Sequence, residues 1–226
     1  MSMDPIVTRD TIRRDYNDYL SSILAVRNPE ITRKAAEAVR KGAFVKGPYL
    51  EATPPFVQGK SLHSLFDEGI VSGEFSRIPE DIHYDRPLYA HQEQALRKIC
   101  GEQKNVIVAT GTGSGKTECY FYPIFNELMR QEEAGTLGDG VQALLLFPMN
   151  ALANDQQKKL RQLLKNYPQI TFGRYTGETP FGSEDEARSN YRTKHGEDPL
   201  PNEMLSRERM QKTPPHILLT NYAMLE

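Results

Sequence analysis

The sequence predicts an α/β fold in which helices lie on both faces of a parallel β-sheet. Short apolar runs rich in Val, Ile and Leu alternate with longer segments of helical periodicity after about residue 85. This alternation is typical of parallel strands joined by right-handed crossovers. A glycine-rich stretch between one apolar run and the next helix is the second indication. The predicted strands lie at 106–108, 141–147 and 170–175, with a fourth in 215–226.

The glycine-rich stretch also predicts a nucleotide site. Residues 106–108 (Val-Ile-Val) are expected to form a strand buried on both faces, and a loop with three glycines follows at 111–115. Such a loop lets backbone N–H groups turn toward a polyphosphate, and the start of the next helix adds a favourable dipole. Lys116 is expected to reach the β- and γ-phosphates of ATP, and the Thr117 hydroxyl to bind Mg²⁺. The alternative is a simple glycine-rich turn between a strand and a helix.

Composition narrows the classes of protein. The 226 residues suffice for one α/β domain plus an appendage. The net charge is −2 and the pI is near 6.2, so any contact with nucleic acid must come from a local surface. No apolar run approaches the ~18 residues of a membrane span, and no signal peptide opens the sequence. Cys100 and Cys119 form no Cys-x-x-Cys motif and are expected to be reduced thiols of a cytoplasmic protein.

Residues 1–84 are predicted to form a mainly helical accessory region. Apolar residues at helical spacing indicate a first helix over about 8–26. Asn28-Pro29 is a typical start for a second helix, which is expected to end near Lys41. Three prolines at 47–58 then indicate an extended strap. The tyrosines of the first helix are expected in a core, the alternative being a stacking surface for bases.

Residues 85–226 are predicted to form the nucleotide-binding core. Pro87 is expected to lie at the start of a helix that contains Gln92. The side-chain amide of Gln92 can donate a hydrogen bond to N7 of adenine and accept one from its N6 amino group. The alternative is a surface glutamine. Residues 181–215 are polar and are predicted to be an insertion with one short helix near 203–211. Their mixed charges favour a solvated surface over a contact with nucleic acid.

Five segments of the sequence carry a resemblance to a known family: Leu88–Gln92, Thr110–Glu118, Phe147–Gln156, Tyr175–Pro180 and Ile217–Glu226. In this order they resemble the early motifs of superfamily 2 DEAD/DEAH-box helicases, in the first RecA-like domain of that family. The strict phosphate-loop pattern has glycine where this chain has Thr110, and the variant with a small residue at that position is similar to the form found in these helicases. The resemblance implies a P-loop RecA-like ATP-binding domain that is incomplete at its C-terminus.

The resemblance implies two sets of site residues. The ATP site is expected to use Gln92 together with Thr112, Gly113, Ser114, Gly115, Lys116, Thr117 and Glu118, with Lys116 and Thr117 as the catalytic pair and Thr117 at the metal. The backbone of single-stranded DNA is expected to contact three turns that follow strands, which is a largely sequence-blind mode of binding. Those turns contain Pro148, Asn150, Thr176, Gly177, Thr220 and Asn221.

The amino-acid sequences of three motif segments, Ala109–Glu118, Pro148–Gln156 and Leu218–Glu226, are most similar to one branch of the family. That branch comprises bacterial DNA-repair and phage-defence helicases whose chains end in a cysteine-rich module. The resemblance therefore implies a motor that moves on or unwinds DNA, with antiviral defence or repair as its setting.

Two parts of such a motor are missing from the sequence. Nothing between Gly177 and Glu226 matches the family's Asp-Glu-x-His motif, and the acidic run 184–186 lies in a polar segment rather than after an apolar strand. The second RecA-like domain with its arginine finger is also absent, so ATP hydrolysis is expected to need that domain from the same parent chain or from a partner. The alternatives are a non-catalytic nucleotide- or nucleic-acid-binding module of a larger complex, and another phosphate-loop enzyme such as a small-molecule kinase.

Overall fold

A computed structural model describes residues 4–23, 26–42, 49, 55–79 and 84–224. The chain divides into two compact units, residues 1–55 and 56–226. Residues 56–79 thus belong to the same compact unit as the sheet. The domain boundary near residue 84 stays a prediction.

The first unit contains the two predicted helices, α1 (Pro5–Ile23) and α2 (Pro29–Lys41). The Asn28 side chain accepts hydrogen bonds from the backbone N–H groups of Glu30 and Ile31, as expected for the residue that caps a helix start. No residue of α1 is buried, so the prediction that its tyrosines lie in a core is wrong. Most of the strap predicted at 47–58 lies outside the described residues.

The second unit is built on the predicted parallel sheet. Its strands are β3 (Ala143–Phe147), β4 (Phe172–Tyr175), β5 (Glu203–Met204) and β6 (Ile217–Asn221). They lie side by side in the order β3–β6–β4–β5, and each is parallel to its neighbours. The register pairs Phe147 with Asn221 and Tyr175 with Thr220, so the carboxyl ends of the three longer strands lie at one edge of the sheet.

The described residues of the second unit form the α-helices α3 (Leu62–Asp67), α4 (Ala90–Leu96), α5 (Glu118–Glu133), α6 (Asn150–Leu164), α7 (Glu184–His195) and α8 (Arg207–Lys212). A π-helical turn, Arg97–Gly101, continues α4. The core joins apolar residues of α5 and α6 to those of β4 and β6, including Phe121, Phe125, Leu160, Phe172 and Ile217. In the described ranges, no helix has the length and apolar character that crossing a membrane requires.

The strand predicted at 106–108 is not formed. Residues 103–111 have no regular structure, and the Ile107 side chain is 97% exposed. The physical reason is the lack of a neighbouring strand. Among the described residues, β3 pairs with β6 on one side and with no strand on the other, and no described segment pairs with residues 106–108. A β-branched run cannot be buried as a strand unless a neighbouring strand satisfies its backbone N–H and C=O groups.

Pro87 begins a strand instead of a helix. Strand β2 (Pro87–Tyr89) pairs in antiparallel fashion with β1 (Gln58–Ser61), and α4 begins only at Ala90. Proline donates no backbone hydrogen bond, and it is therefore tolerated at the first residue of a short strand as well as at the start of a helix. Local sequence could not distinguish these two positions.

The segment 181–215 is a folded part of the sheet domain, contrary to the prediction of a solvated insertion with one helix. It contains α7, β5 and α8, and β5 adds the outermost strand to the sheet. The Glu203 side chain is fully buried, where Arg161 and Gln157 donate to its carboxylate at 2.6 to 2.9 Å. Burial of a carboxylate needs such partners, and they come from α6, far away in sequence.

Candidate nucleotide and nucleic-acid sites

The glycine-rich loop leads directly into α5 and has the backbone geometry that glycine allows. Gly113 and Gly115 have φ angles of 74° and 72°, in the left-handed region that other residues rarely adopt. A Cβ atom on Gly115 would lie 2.4 Å from Nε2 of Gln92. Glycine at 115 is therefore required both by its own backbone conformation and by the close approach of Gln92.

Lys116 lies within its own loop. Its ammonium donates to the carbonyl of Thr110 at 2.9 Å and to that of Gly111 at 2.6 Å. The backbone N–H groups of residues 111–116 donate to no described residue. The loop thus combines backbone N–H groups without protein partners and one positive charge, which is the chemistry that binds a polyphosphate.

Helix α4 braces the loop from one side. Nε2 of His91 lies 2.8 Å from the carbonyl of Ser114, and Nε2 of Gln92 donates to the carbonyl of Gly115 at 2.9 Å. The Gln92 amide oxygen accepts from the backbone N–H of Tyr89 at 2.8 Å. Because both ends of this buried amide bind backbone groups here, the adenine contact stays a prediction. The role of His91 was missed by sequence reasoning, although its neighbour Gln92 was singled out.

The remaining predicted nucleotide residues lie in the same loop and helix start. Ser114 is buried and its hydroxyl is hydrogen-bonded to that of Thr110, while Thr112 is exposed. Thr117 immediately precedes α5, and its side chain makes no capping hydrogen bond there. A hydroxyl in this position suits a hard cation such as Mg²⁺, which prefers oxygen ligands. Glu118 opens α5, with its Oε2 buried and unpaired among the described residues.

The three turns predicted to contact nucleic acid meet at the carboxyl edge of the sheet. Nδ2 of Asn221, at the end of β6, donates to Oδ1 of Asn150 at 2.8 Å. Nδ2 of Asn150, at the start of α6, in turn donates to the Glu178 carboxylate at 3.2 Å. These two bonds link the ends of β3, β4 and β6 into one polar surface, here called the strand-end surface.

The residues of the strand-end surface differ in exposure. Pro148 and Gly177 are exposed, and Asn150 and Asn221 are half-buried. The side chains of Thr176 and Thr220 are buried, and the Thr220 hydroxyl donates to the carbonyl of Tyr175 at 2.7 Å. The Thr220 hydroxyl therefore ties the end of β6 to the end of β4, whereas the Thr176 hydroxyl has no hydrogen-bond partner among the described residues. Because both residues are buried, a ligand at this surface would meet their exposed neighbours first.

Arg174 and Glu178 are further members of the strand-end surface that sequence reasoning missed. The Arg174 guanidinium donates to Glu178 at 3.0 Å and also to the Asn154 side chain. This guanidinium and, to a lesser extent, the Asn150 amide lower the pKa of Glu178 below its usual value. Arg174 lies in a strand of otherwise apolar or small residues, and that contrast is the signal that could have identified it.

The acidic run 184–186 does not form a catalytic acid pair. The Glu184 carboxylate accepts from the backbone N–H groups of Leu205 and Ser206 at 2.9 to 3.1 Å. It therefore fixes the start of α7 against the segment that follows β5. The other two carboxylates are exposed on the first turn of α7.

Comparison with known proteins agrees with this arrangement. The family model for DEAD/DEAH box helicase matches residues 89–196. Druantia protein DruE of Escherichia coli is 35% identical over 169 residues, which cover 67% of this chain and 9% of DruE. The ATP-dependent helicase Lhr-Core of Methanothermobacter thermautotrophicus is 37% identical over 117 residues, which cover 52% of this chain and 12% of that protein. The chain thus spans about a tenth of the length of these two relatives.

A solved structure extends the agreement to the fold. A DEAD-box helicase bound to single-stranded RNA superposes with a TM-score of 0.55 at 21% identity, over 76% of this chain and 30% of that one. At this level of identity the likeness concerns the fold alone. The sequence matches identify the chain as part of the RecA-like domain of a superfamily 2 helicase, and the structural likeness agrees in fold.

Proposed function

We propose that this chain is the ATP-binding N-terminal part of a helicase or translocase that moves on or unwinds DNA in the full-length protein. The observation that carries the proposal is a loop with positive φ angles at two glycines, whose N–H groups at 111–116 donate to no described residue and whose Lys116 supplies a positive charge. Free backbone donors together with a lysine at the start of a helix suit a triphosphate.

In this proposal different residues of the loop bind different parts of ATP. The N–H groups of 111–116 and the Lys116 ammonium hold the phosphates, once Lys116 exchanges its two carbonyl partners for phosphate oxygens. The Thr117 hydroxyl is the protein's own ligand for Mg²⁺, which when bound neutralises charge on the β- and γ-phosphates. Gln92 fixes the loop through Gly115 and is placed to meet the adenine if its amide changes partners.

Single-stranded DNA is the proposed partner of the strand-end surface. The net charge of −2 gives the chain no general attraction for nucleic acid, so a local surface must provide it. The surface combines the exposed residues Pro148 and Gly177 with the half-buried amides of Asn150 and Asn221, and polar groups of this kind suit contacts to a sugar–phosphate backbone. Such contacts would bind many sequences equally well.

Further protein is proposed to complete this domain. Strand β3 has one edge without a described partner, and its Leu144 and Leu146 side chains are 49% and 50% exposed. We infer that strands from the parent chain or a partner cover this edge and pair with residues 106–108. The acidic motif and the second RecA-like domain would come from the same source. We also propose a cytoplasmic setting in phage defence or DNA repair, and the similarity to DruE supports the phage-defence part of this proposal.

Titration with a fluorescent ATP analogue in the presence of Mg²⁺ tests the nucleotide site. Removal of the Lys116 ammonium in Lys116→Ala is expected to weaken binding about 10- to 100-fold, because a charge-assisted bond to phosphate is lost. Lys104→Ala is the matched control, since Lys104 is exposed and Glu102 is its only ion-pair partner within the described part of the chain. Equal affinities of the two variants would contradict the assignment.

A non-catalytic module remains the second candidate. The observation that favours it is the closed state of the loop, in which Gln92 and Lys116 already bind backbone carbonyls. A chain that binds oligonucleotide but no nucleotide at millimolar concentration would support the module. Nucleotide binding that depends on Lys116 would support the motor.

A further inference from the structure

Arg207, at the start of α8, lies between two aromatic rings beside the turn that follows β4. Its Cζ is 4.2 Å from the ring centroid of Phe181 and 5.5 Å from that of Tyr175. Its Nη2 donates to the carbonyl of Thr176 at 2.8 Å, and its backbone N–H donates to the carbonyl of Pro180 at 3.0 Å. Arg207 therefore fixes both ends of the turn 176–180.

The charge of Arg207 is not neutralised locally. No carboxylate of the described residues lies within ion-pair distance of it, whereas Arg161, Arg174 and Arg188 all pair with glutamates. Its Nε is buried and has no hydrogen-bond partner among the described residues. Arg207 thus places a positive charge without an ion-pair partner beside the turn after β4, and such a charge favours an approaching phosphate chain.

Phe181 is an exposed aromatic ring at this same place. Its side chain is 73% exposed although one face of the ring is covered by the Arg207 guanidinium. The exposed area therefore includes the opposite face. An aromatic ring that is held by a cation on one side and open on the other is suited to stacking of a flat group such as a nucleobase.

We propose that Phe181, backed by Arg207, is a stacking platform for one unpaired base of the nucleic-acid strand held at the strand-end surface. The platform rests on the proposed function, because the strand must first lie along the neighbouring turn at Thr176 and Gly177. Stacking on an aromatic ring accepts any base, so the platform adds affinity and fixes the position of the strand without sequence preference. It also gives the segment 181–215 a role in binding.

The absence of tryptophan from the sequence allows a direct optical test. Phe181→Trp creates a single tryptophan at the platform, and Phe66→Trp creates one at an exposed phenylalanine of α3 as the matched control. Each variant is titrated with an oligothymidylate while anisotropy of the labelled oligonucleotide reports binding separately. The expected result is that tryptophan emission of the Phe181→Trp variant is quenched in step with binding, while emission of the Phe66→Trp variant stays unchanged.

A second arm separates base stacking from backbone contacts. Phe181→Ala is expected to weaken binding of oligothymidylate by roughly 5- to 150-fold. It should leave unchanged the binding of an abasic strand of equal length, and it should not change the salt dependence, because no phosphate contact is removed. Phe181→Tyr should restore the affinity for oligothymidylate.

The outcomes are distinguishable. The stacking proposal is overturned if anisotropy shows binding but the emission of Phe181→Trp is not quenched. It is also overturned if Phe181→Ala weakens binding of the abasic strand as much as binding of the oligothymidylate; in both cases nucleic-acid binding at the strand-end surface is still supported. If the wild-type chain binds neither strand, both the proposed nucleic-acid partner and the stacking proposal are overturned.

Discussion

The nucleotide loop and the strand-end surface are held in place by different means. The loop depends on positive φ angles at Gly113 and Gly115 and on two side chains of α4, and the segment before it has no strand partner among the described residues. The strand-end surface depends on a four-stranded register and on a network of side chains from three strand ends. The first site is therefore encoded locally in sequence, whereas the second exists only after the sheet has formed.

This difference predicts how each site can be damaged. A change of backbone geometry in the loop should lower nucleotide affinity directly, and its effect on stability should be limited to the local strain. A change in the buried partners of the sheet should lower stability first, and oligonucleotide binding as a consequence. The variants below test this contrast, in order of expected effect.

Glu203→Ala is expected to have the largest effect, on the sheet. It removes the fully buried carboxylate that pairs with Arg161 at 2.7 Å and leaves that guanidinium in a site only 24% exposed. A broken buried pair is costly because a charge stays buried without its partner, and the free energy of unfolding should fall by about 2–4 kcal/mol. Urea unfolding followed by circular dichroism measures it.

Glu208→Ala is the control for that experiment, because Glu208 is exposed on α8. Its free energy of unfolding should stay within about 0.5 kcal/mol of wild type. If the two variants were equally stable, the buried pair would not anchor β5 and the contrast between the sites would lose its physical basis.

Gly115→Ala should damage the loop specifically. A Cβ at this position is strained by φ of 72° and would lie 2.4 Å from Nε2 of Gln92. We expect the affinity for an ATP analogue to fall about 10-fold or more, because such backbone strain costs ~1–3 kcal/mol and the loop must move to relieve it. Gly111→Ala is the matched control, since its Cβ would meet nothing within 4 Å. Equal nucleotide affinities would show that the loop adapts freely.

His216 should make the stability of the sheet depend on pH. Its Nδ1 accepts from the backbone N–H of Thr171 at 3.0 Å, which requires the neutral ring. Burial lowers the pKa of His216, and Asp139 opposes this only in part. With the pKa lowered in the folded state, its contribution is complete above the usual histidine value of about 6.5 and is lost as the pH falls through the folded pKa.

His216→Asn tests this, since an asparagine oxygen can accept the same bond without titrating. Between pH 7.5 and 5, wild type should lose more unfolding free energy than the variant, because only the wild-type side chain takes up a proton at the cost of its hydrogen bond. Chemical denaturation at the two pH values measures the difference. Parallel losses would mean that His216 does not titrate in this range.

The parts of the fold that could be predicted are those with a strong local pattern. The loop at 111–117, the helices after Asn28 and Thr117, and the strands β3, β4 and β6 all follow from periodicity, capping or glycine placement. The convergence of three strand ends also followed, because parallel strands place their carboxyl ends on one edge.

The parts that were missed depend on partners distant in sequence. Residues 106–108 have the composition of a strand but no described neighbour to pair with, and β5 has almost no apolar pattern because its Glu203 is buried against Arg161. The stack of Phe181 on Arg207 joins residues 26 positions apart (207 minus 181), so no local pattern indicates it. Such features are set by tertiary contacts, and a single sequence does not encode them in its periodicity.

Separate titration of two ligands into two variants tests the central claim most directly. The claim is that the chain binds nucleotide through the loop and single-stranded nucleic acid through the strand-end surface. Lys116→Ala should bind the ATP analogue in the presence of Mg²⁺ about 10- to 100-fold more weakly and keep the affinity of wild type for an oligothymidylate. Asn150→Ala, which loses its bonds to Asn221 and Glu178, should keep the affinity of wild type for the nucleotide and bind the oligonucleotide about 5-fold more weakly. The account is contradicted if one variant binds both ligands more weakly, or if both variants bind both ligands as wild type does.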